Sequence, residues 1–143
     1  MFKVVANSPV SLESMWGSFG ALGAGVLGPK LGEHIAVAIA NRNLCEYRLA
    51  AHAALGKNAR VSEKDISEAQ VGRSTGAKTA AALSFVLKVV SDRAQITADN
   101  VRALHNVGFT DGEVVEIMAH IALDLFKNYI NVALCSATIR MTS

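Results

Sequence analysis

Three observations predict an all-α chain of about six to seven helices. Alanine occurs 23 times in 143 residues, against two Pro and 11 Gly, so helix formers abound and breakers are few. Apolar residues recur every three or four positions, the spacing of one buried helix face. Apolar–polar alternation of the kind a half-buried strand needs is not developed. A length of 143 residues suits one domain spanning residues 1–143.

Local signals then place the helices in order. Pro9 opens a first helix to about Leu22, because proline at an early position loses no helical N–H bond. After the Gly23–Gly28 stretch, a second helix starts near Pro29 and runs through Ile35–Ala40. The triplet Asn41-Arg42-Asn43 interrupts it, since Asn competes for backbone hydrogen bonds. A third helix begins around Leu44-Cys45 and ends at Gly56. Ser62 caps a fourth helix with an acidic first turn, Glu63 and Asp65. Lys78 to Val90 carries Leu83, Val86, Leu87 and Val90 on one face. Thr97 opens a helix that closes at Gly108. Thr110-Asp111-Gly112-Glu113 is a capping box for the last helix, whose apolar face is Val114, Ile117, Met118, Ile121 and Leu125.

Composition narrows the class of function. Residues are 51% hydrophobic and 18% charged, too apolar for a disordered chain. Fourteen bases against 12 acids leave +2, without the basic stripe that phosphate contacts require, so nucleic acid is not an expected partner. The longest uncharged apolar run, Gly20–Gly28, falls short of the ~18 residues that span a bilayer. The N-terminus turns polar at Asn7 before a signal core forms, which fits a cytoplasmic protein. Two cysteines, Cys45 and Cys135, make no disulfide framework. His34, His105 and His120 are scattered rather than clustered as metal ligands, and no glycine-rich phosphate loop follows a strand. Neither a metal nor another cofactor is therefore expected.

Chemistry concentrates around Cys45. Positions 45, 48 and 52 share one helical face, so Cys45, Arg48 and His52 project together. A hairpin at Asn41–Asn43 would let Glu33 join that face. A thiol in the first turn of a helix is favoured as thiolate by the unpaired N–H groups, and the Arg48 cation adds to this. Glu33 and His52 are groups able to pass a proton. Seven residues of helix rise ~10 Å, too far for a direct Cys45–His52 hydrogen bond without side-chain lean or water. Each residue also has a plain structural reading. Cys45 can be a small buried hydrophobe, His52 a satisfied interior or surface residue, and Glu33 a first-turn acid. Tyr47 can be packing, and Arg48 can pair with Glu33. Asp124, Asn128 and Asn131 form a polar seam, either a solvated face or a pocket or interface wall.

The stretch from Glu33 through Cys45-Glu46-Tyr47-Arg48 to His52 resembles the carboxymuconolactone decarboxylase family, including its AhpD-like alkylhydroperoxidase branch. Leu27-Gly28-Pro29-Lys30-Leu31-Gly32 resembles the family's approach to its glutamate. Phe109–Ile117 is similar to a following helix start, and Asn128-Tyr129-Ile130-Asn131 to a recurrent Asn-Tyr-x-Asn segment. Together these span most of residues 20–135.

The resemblance implies an AhpD-like helical fold that assembles as homo-trimers or hexamers. In the thiol branch it implies peroxide reduction by two cysteines three apart, helped by a glutamate and a histidine. Glu33, Cys45 and His52 match the glutamate, the first cysteine and the histidine, while Arg48 stands where the second cysteine belongs. Without that partner no local disulfide forms, and oxidised Cys45 stops at sulfenic acid until an outside thiol restores it. Cys135 can serve only if its Cα comes within ~7 Å. The leading expectation is thus a thiol-dependent, peroxiredoxin-type reduction of hydroperoxides through Cys45, with Arg48 and Tyr47 stabilising thiolate or binding substrate. The alternatives are a non-redox lactone decarboxylase or isomerase using Glu33 and His52, and a non-catalytic oligomeric binding protein.

Overall fold

The computed structural model describes residues 1–46, 49–51 and 60–135. Among these residues lie seven α-helices, a π-helical turn and no strand. The helices are α1 (Phe2–Val5), α2 (Pro9–Gly23), α3 (Gly28–Arg42), α4 (Glu63–Gln70), α5 (Ala77–Ser91), α6 (Ala98–Asn106) and α7 (Asp111–Tyr129). The π-helical turn, Ile130–Cys135, continues α7. The architecture is all-α, as the residue pattern predicts.

The capping signals fall where the sequence puts them. Ser8 and Ser62 accept from Ser11 N–H and Asp65 N–H, at 3.4 and 3.0 Å. Thr110 and Glu113 close a reciprocal box at 3.2 and 2.8 Å. At Thr97 the box is completed by Asn100, whose side-chain oxygen accepts the Thr97 N–H at 2.9 Å.

Helix α3 is the axis of the molecule. His34 through Ala40 are all buried, so it is enclosed on every side, packing against α4, α5 and α7. Ile35 and Ile39 meet Val86 of α5, Leu104 of α6 and Ile117 of α7 in one cluster. Val37 and Ala38 meet Ile66 of α4 and Leu83 of α5 in another. Truncating Ile35, Ile39, Leu83, Leu104 or Ile117 to Ala costs about 2–5 kcal/mol. On α7, Val114, Ile117 and Ile121 are buried and Leu125 is half-buried, but Met118 lies at the surface.

The polar triplet ends α3 where expected. The helix runs through Arg42 and ends at Asn43. Asn41 Nδ2 donates to Gln70 O at 2.9 Å and Arg42 Nε to Ser91 Oγ at 3.1 Å. These side chains found partners on α4 and α5 instead of competing with their own backbone.

Candidate functional site

The C-terminal end of α3 seats Cys45. Leu44 N–H donates to Asn41 O at 3.1 Å and Cys45 N–H to Ala40 O at 2.9 Å, the paired bonds of a Schellman closure. That closure needs a left-handed residue, and here it is Leu44, with φ +53° and an exposed side chain. A branched residue in this region is strained, and such strain concentrates at functional sites. The Cys45 carbonyl then accepts from Leu49 N–H at 3.0 Å, so Cys45 stands at the head of a new helical turn. The residue is 3% exposed, and both it and Cys135 are free thiols.

Glu33 lies toward the other end of α3. Cys45 is tied to Ala40, seven residues beyond Glu33, a rise of ~10 Å along the axis. The described chain therefore does not bring acid and thiol together through α3 alone. Tyr47, Arg48 and His52 lie outside the described residues.

Glu33 instead shares a cavity of about 160 Å³ with three side chains of α7: His120, Asp124 and Lys127. Phe19 of α2 and Gly32 of α3 also line it. Glu116, one turn before His120, fixes the approach. Its two carboxylate oxygens accept from Val26 N–H at 3.2 Å and Leu27 N–H at 3.1 Å. Leu27 offers α3 no side-chain cap, so a carboxylate from α7 satisfies its N-terminal amides and suits the helix dipole. A Cβ at Gly25 would overlap that carboxylate, so a side chain there would have to displace Glu116 from the two amides. Gly32 makes a second close approach: a Cβ there would meet His120 Cε1 at 3.3 Å. The imidazole thus lies against the backbone of α3.

Burial dominates the electrostatics. The His120 pKa is held below its ordinary 6.5, first by desolvation, with Lys127 helping and Asp124 and Glu116 opposing. Its Nε2 is buried without a partner among the described residues. Asp124 Oδ1 and Lys127 Nζ pair at 2.8 Å, both almost fully buried. His34, buried between α3 and α4, also has its pKa held below 6.5, mainly by desolvation and then by Lys30.

The polar seam is not a solvated face: Asp124, Asn128 and Asn131 are all buried. Asp124 lines the cavity. Asn131 Nδ2 donates to Lys127 O at 3.1 Å, holding a carbonyl where α7 gives way to the π turn. Sequence reasoning set His120 aside as isolated and passed over Lys127. Their signal was the extension of the Asp124–Asn128–Asn131 seam back to His120 and Glu116 at the same helical spacing.

Among the described residues no three His, Cys, Asp or Glu side chains are placed to hold one metal ion. No helix among them is long and apolar enough to cross a membrane.

With this geometry in hand, the comparisons carry the classification. The profile of the carboxymuconolactone decarboxylase family matches residues 13–92, and the chain belongs to that family. Its fold is that of the AhpD core. A structure described as an uncharacterized peroxidase-related protein from Silicibacter sp. TM1040 superposes with a TM-score of 0.80 at 20% identity. That match covers 93% of this chain and 71% of the other. The alkylhydroperoxidase AhpD core of an uncharacterized peroxidase-related protein from Ralstonia eutropha JMP134 gives 0.81 at 23% identity, over 97% and 74%. No curated protein sequence matches the chain.

Proposed function

We propose that the protein is a cytoplasmic, thiol-dependent, peroxidase-like oxidoreductase that reduces hydroperoxides through Cys45. The observation that carries this reading is the seat of Cys45 at the head of a helical turn, behind a strained Leu44. Family membership and the peroxidase-related descriptions of the two similar structures support the same branch. At 3% exposure the sulfur admits only a small oxidant, hydrogen peroxide or a short alkyl hydroperoxide.

In the proposed cycle the thiolate attacks the outer peroxide oxygen and the O–O bond breaks. The alkoxide leaves as alcohol after taking a proton, and Cys45 becomes sulfenic acid. Glu33 and His52 are assigned to proton relay, Arg48 and Tyr47 to holding thiolate or substrate. An external thiol condenses with the sulfenic acid, releasing water, and a second thiol frees Cys45 as the two external sulfurs pair. A sulfenic-acid trap applied after peroxide tests this directly. An adduct at Cys45, with peroxide consumption lost in Cys45→Ser, is the expected result. No adduct in the wild-type protein sinks the proposal. Lactone turnover kept in Cys45→Ser but lost in His52→Ala would favour the non-redox decarboxylase or isomerase reading.

Assembly into a homo-oligomer, a trimer or hexamer, belongs to the same proposal. Only Met15 of α2 is buried, while Trp16, half-exposed, stacks on Phe2 and meets the half-exposed Phe19, and Glu13 is the single charge on the helix. An exposed aromatic cluster of this kind marks an interaction face. Sedimentation as a monomer at micromolar concentration would refute the assembly.

A further inference from the structure

We infer that His34 and His120 form a two-sided acid latch on the N-terminal half of α3, each loosening one neighbouring helix when it takes up a proton. The latch is independent of the thiol reading, since neither imidazole has a part in the Cys45 cycle. Gly32, which lies against His120, and His34 are two residues apart, about 200° around a helix of 3.6 residues per turn. The two imidazoles therefore meet opposite faces of α3, His34 toward α4 and His120 from α7.

Both places suit a neutral ring. His34 is 4% exposed, and its Nδ1 has no hydrogen-bond partner among the described residues. His120 Nε2 is likewise buried and unpartnered among them, and its ring lies close to the Gly32 backbone. A neutral imidazole can leave such a nitrogen as a bare lone pair, but the charged form makes both nitrogens donors. The added N–H then finds no acceptor, and a buried charge without its hydrogen bonds is costly.

The surrounding charges do not offset that cost. Lys30 of α3 opposes a positive His34, while Asp65 of α4 and Glu33 favour it, and desolvation prevails. Across α3 from α4, α5 packs with Ala82, Leu83 and Val86, and its two lysines, Lys78 and Lys88, pair with Glu113 and Asp92. Around His120, Asp124 and Glu116 favour the charged ring and Lys127 opposes it, with desolvation again the largest effect. Glu33 of α3 lines the same cavity, and α2 carries one charge, Glu13. Lys78 of α5 and His105 of α6 meet α7 at Glu113 and Asp111, about two turns before His120.

Both rings titrate below the free value of 6.5, so an opened state binds protons that the packed state refuses. The latch is closed above pH 6.5 and loosens as pH falls below it. The opening equilibrium rises by up to about tenfold per histidine per pH unit. Asp65 and Glu113, held below their ordinary 3.8 and 4.5, respond only in a more acidic range. Helix α4 has eight residues, too few to stand without its packing on α3, so it registers the loosening most directly.

Amide hydrogen exchange at about pH 7.5, 6.5 and 5.5, expressed as protection factors, tests the latch. In wild-type protein, protection in α4 and in α7 around His120 should fall by up to about tenfold over the last of these steps. His34→Gln should flatten the α4 fall alone and His120→Gln the α7 fall alone, while the exposed His105→Gln should flatten neither. Slopes are compared within each variant, so a change in overall stability does not obscure them. In wild-type protein the imidazole resonances of both histidines should titrate below pH 6.5, a readout that needs no variant to fold. Flat wild-type protection, an α4 slope kept in His34→Gln, an α7 slope kept in His120→Gln, or either ring titrating at or above pH 6.5 overturns the inference.

Discussion

At its C-terminal end α3 is closed by its own next residues, through Asn41, Leu44 and Cys45. At its N-terminal end the closure comes from Glu116, 90 residues away from the Val26 amide it accepts. The first arrangement stores backbone strain beside a thiol. The second leaves the backbone relaxed and places buried charge and an unpartnered imidazole beside an acid. A local closure can position a single residue, whereas a long-range one gathers side chains from several helices around a cavity. The family's thiol chemistry is proposed for the first end.

The largest expected effect breaks the long-range end. Lys127→Ala leaves Asp124 as a buried carboxylate without its cation and should lower stability by about 3–5 kcal/mol. Replacing both residues with apolar ones of similar volume should recover most of that loss. Urea unfolding of the two variants checks it, and a single variant within 1 kcal/mol of wild type (on the order set by exposed pairs) would show that the pair is solvated.

A smaller effect is expected from Glu116→Ala, which removes the carboxylate from the Val26 and Leu27 amides and should cost about 1–2 kcal/mol. It also opens the space that forbids a side chain at Gly25. Gly25→Ala should therefore destabilise the wild-type background more than the Glu116→Ala background, a coupling that a double-mutant cycle in thermal unfolding measures.

The smallest effect sharpens the local end. Leu44→Gly relieves a positive φ at an exposed position, and its gain is offset in part by the flexibility glycine adds to the unfolded chain. Stability should rise by about 1 kcal/mol or less. If Leu44 strain helps seat Cys45, peroxide reactivity should fall even as the melting temperature rises. Stopped-flow oxidation of Leu44→Gly reads that split.

Much of this molecule was written locally. The Ser62 cap, the Thr110–Glu113 box and the three-and-four apolar rhythm placed α4, α5 and α7 within a residue or two, because each signal acts inside one turn of helix. Cys45 at a helix start was legible for the same reason. The Asn41–Asn43 triplet marked the end of α3, whereas the contact of Asn41 with Gln70 of α4 was not legible, because it depends on what the side chain reaches once the helices pack. Met118 fell outside the buried face because the stripe facing α3 and α2 runs through Glu116, His120 and Asp124, and carries polar groups that periodicity assigns to solvent.

The sequence alone determined the helical class, most helix boundaries, the family and the position of the Cys45 thiol, since all of these follow from residue type and short spacing. Only the tertiary structure decided that Glu116 caps α3, that Glu116 and His120 pack closely on Gly25 and Gly32, and that Glu33 shares a cavity with His120, Asp124 and Lys127. Those are contacts between residues some ninety positions apart, and their energies depend on burial and on which faces of two helices meet. Neither quantity exists until the chain has folded.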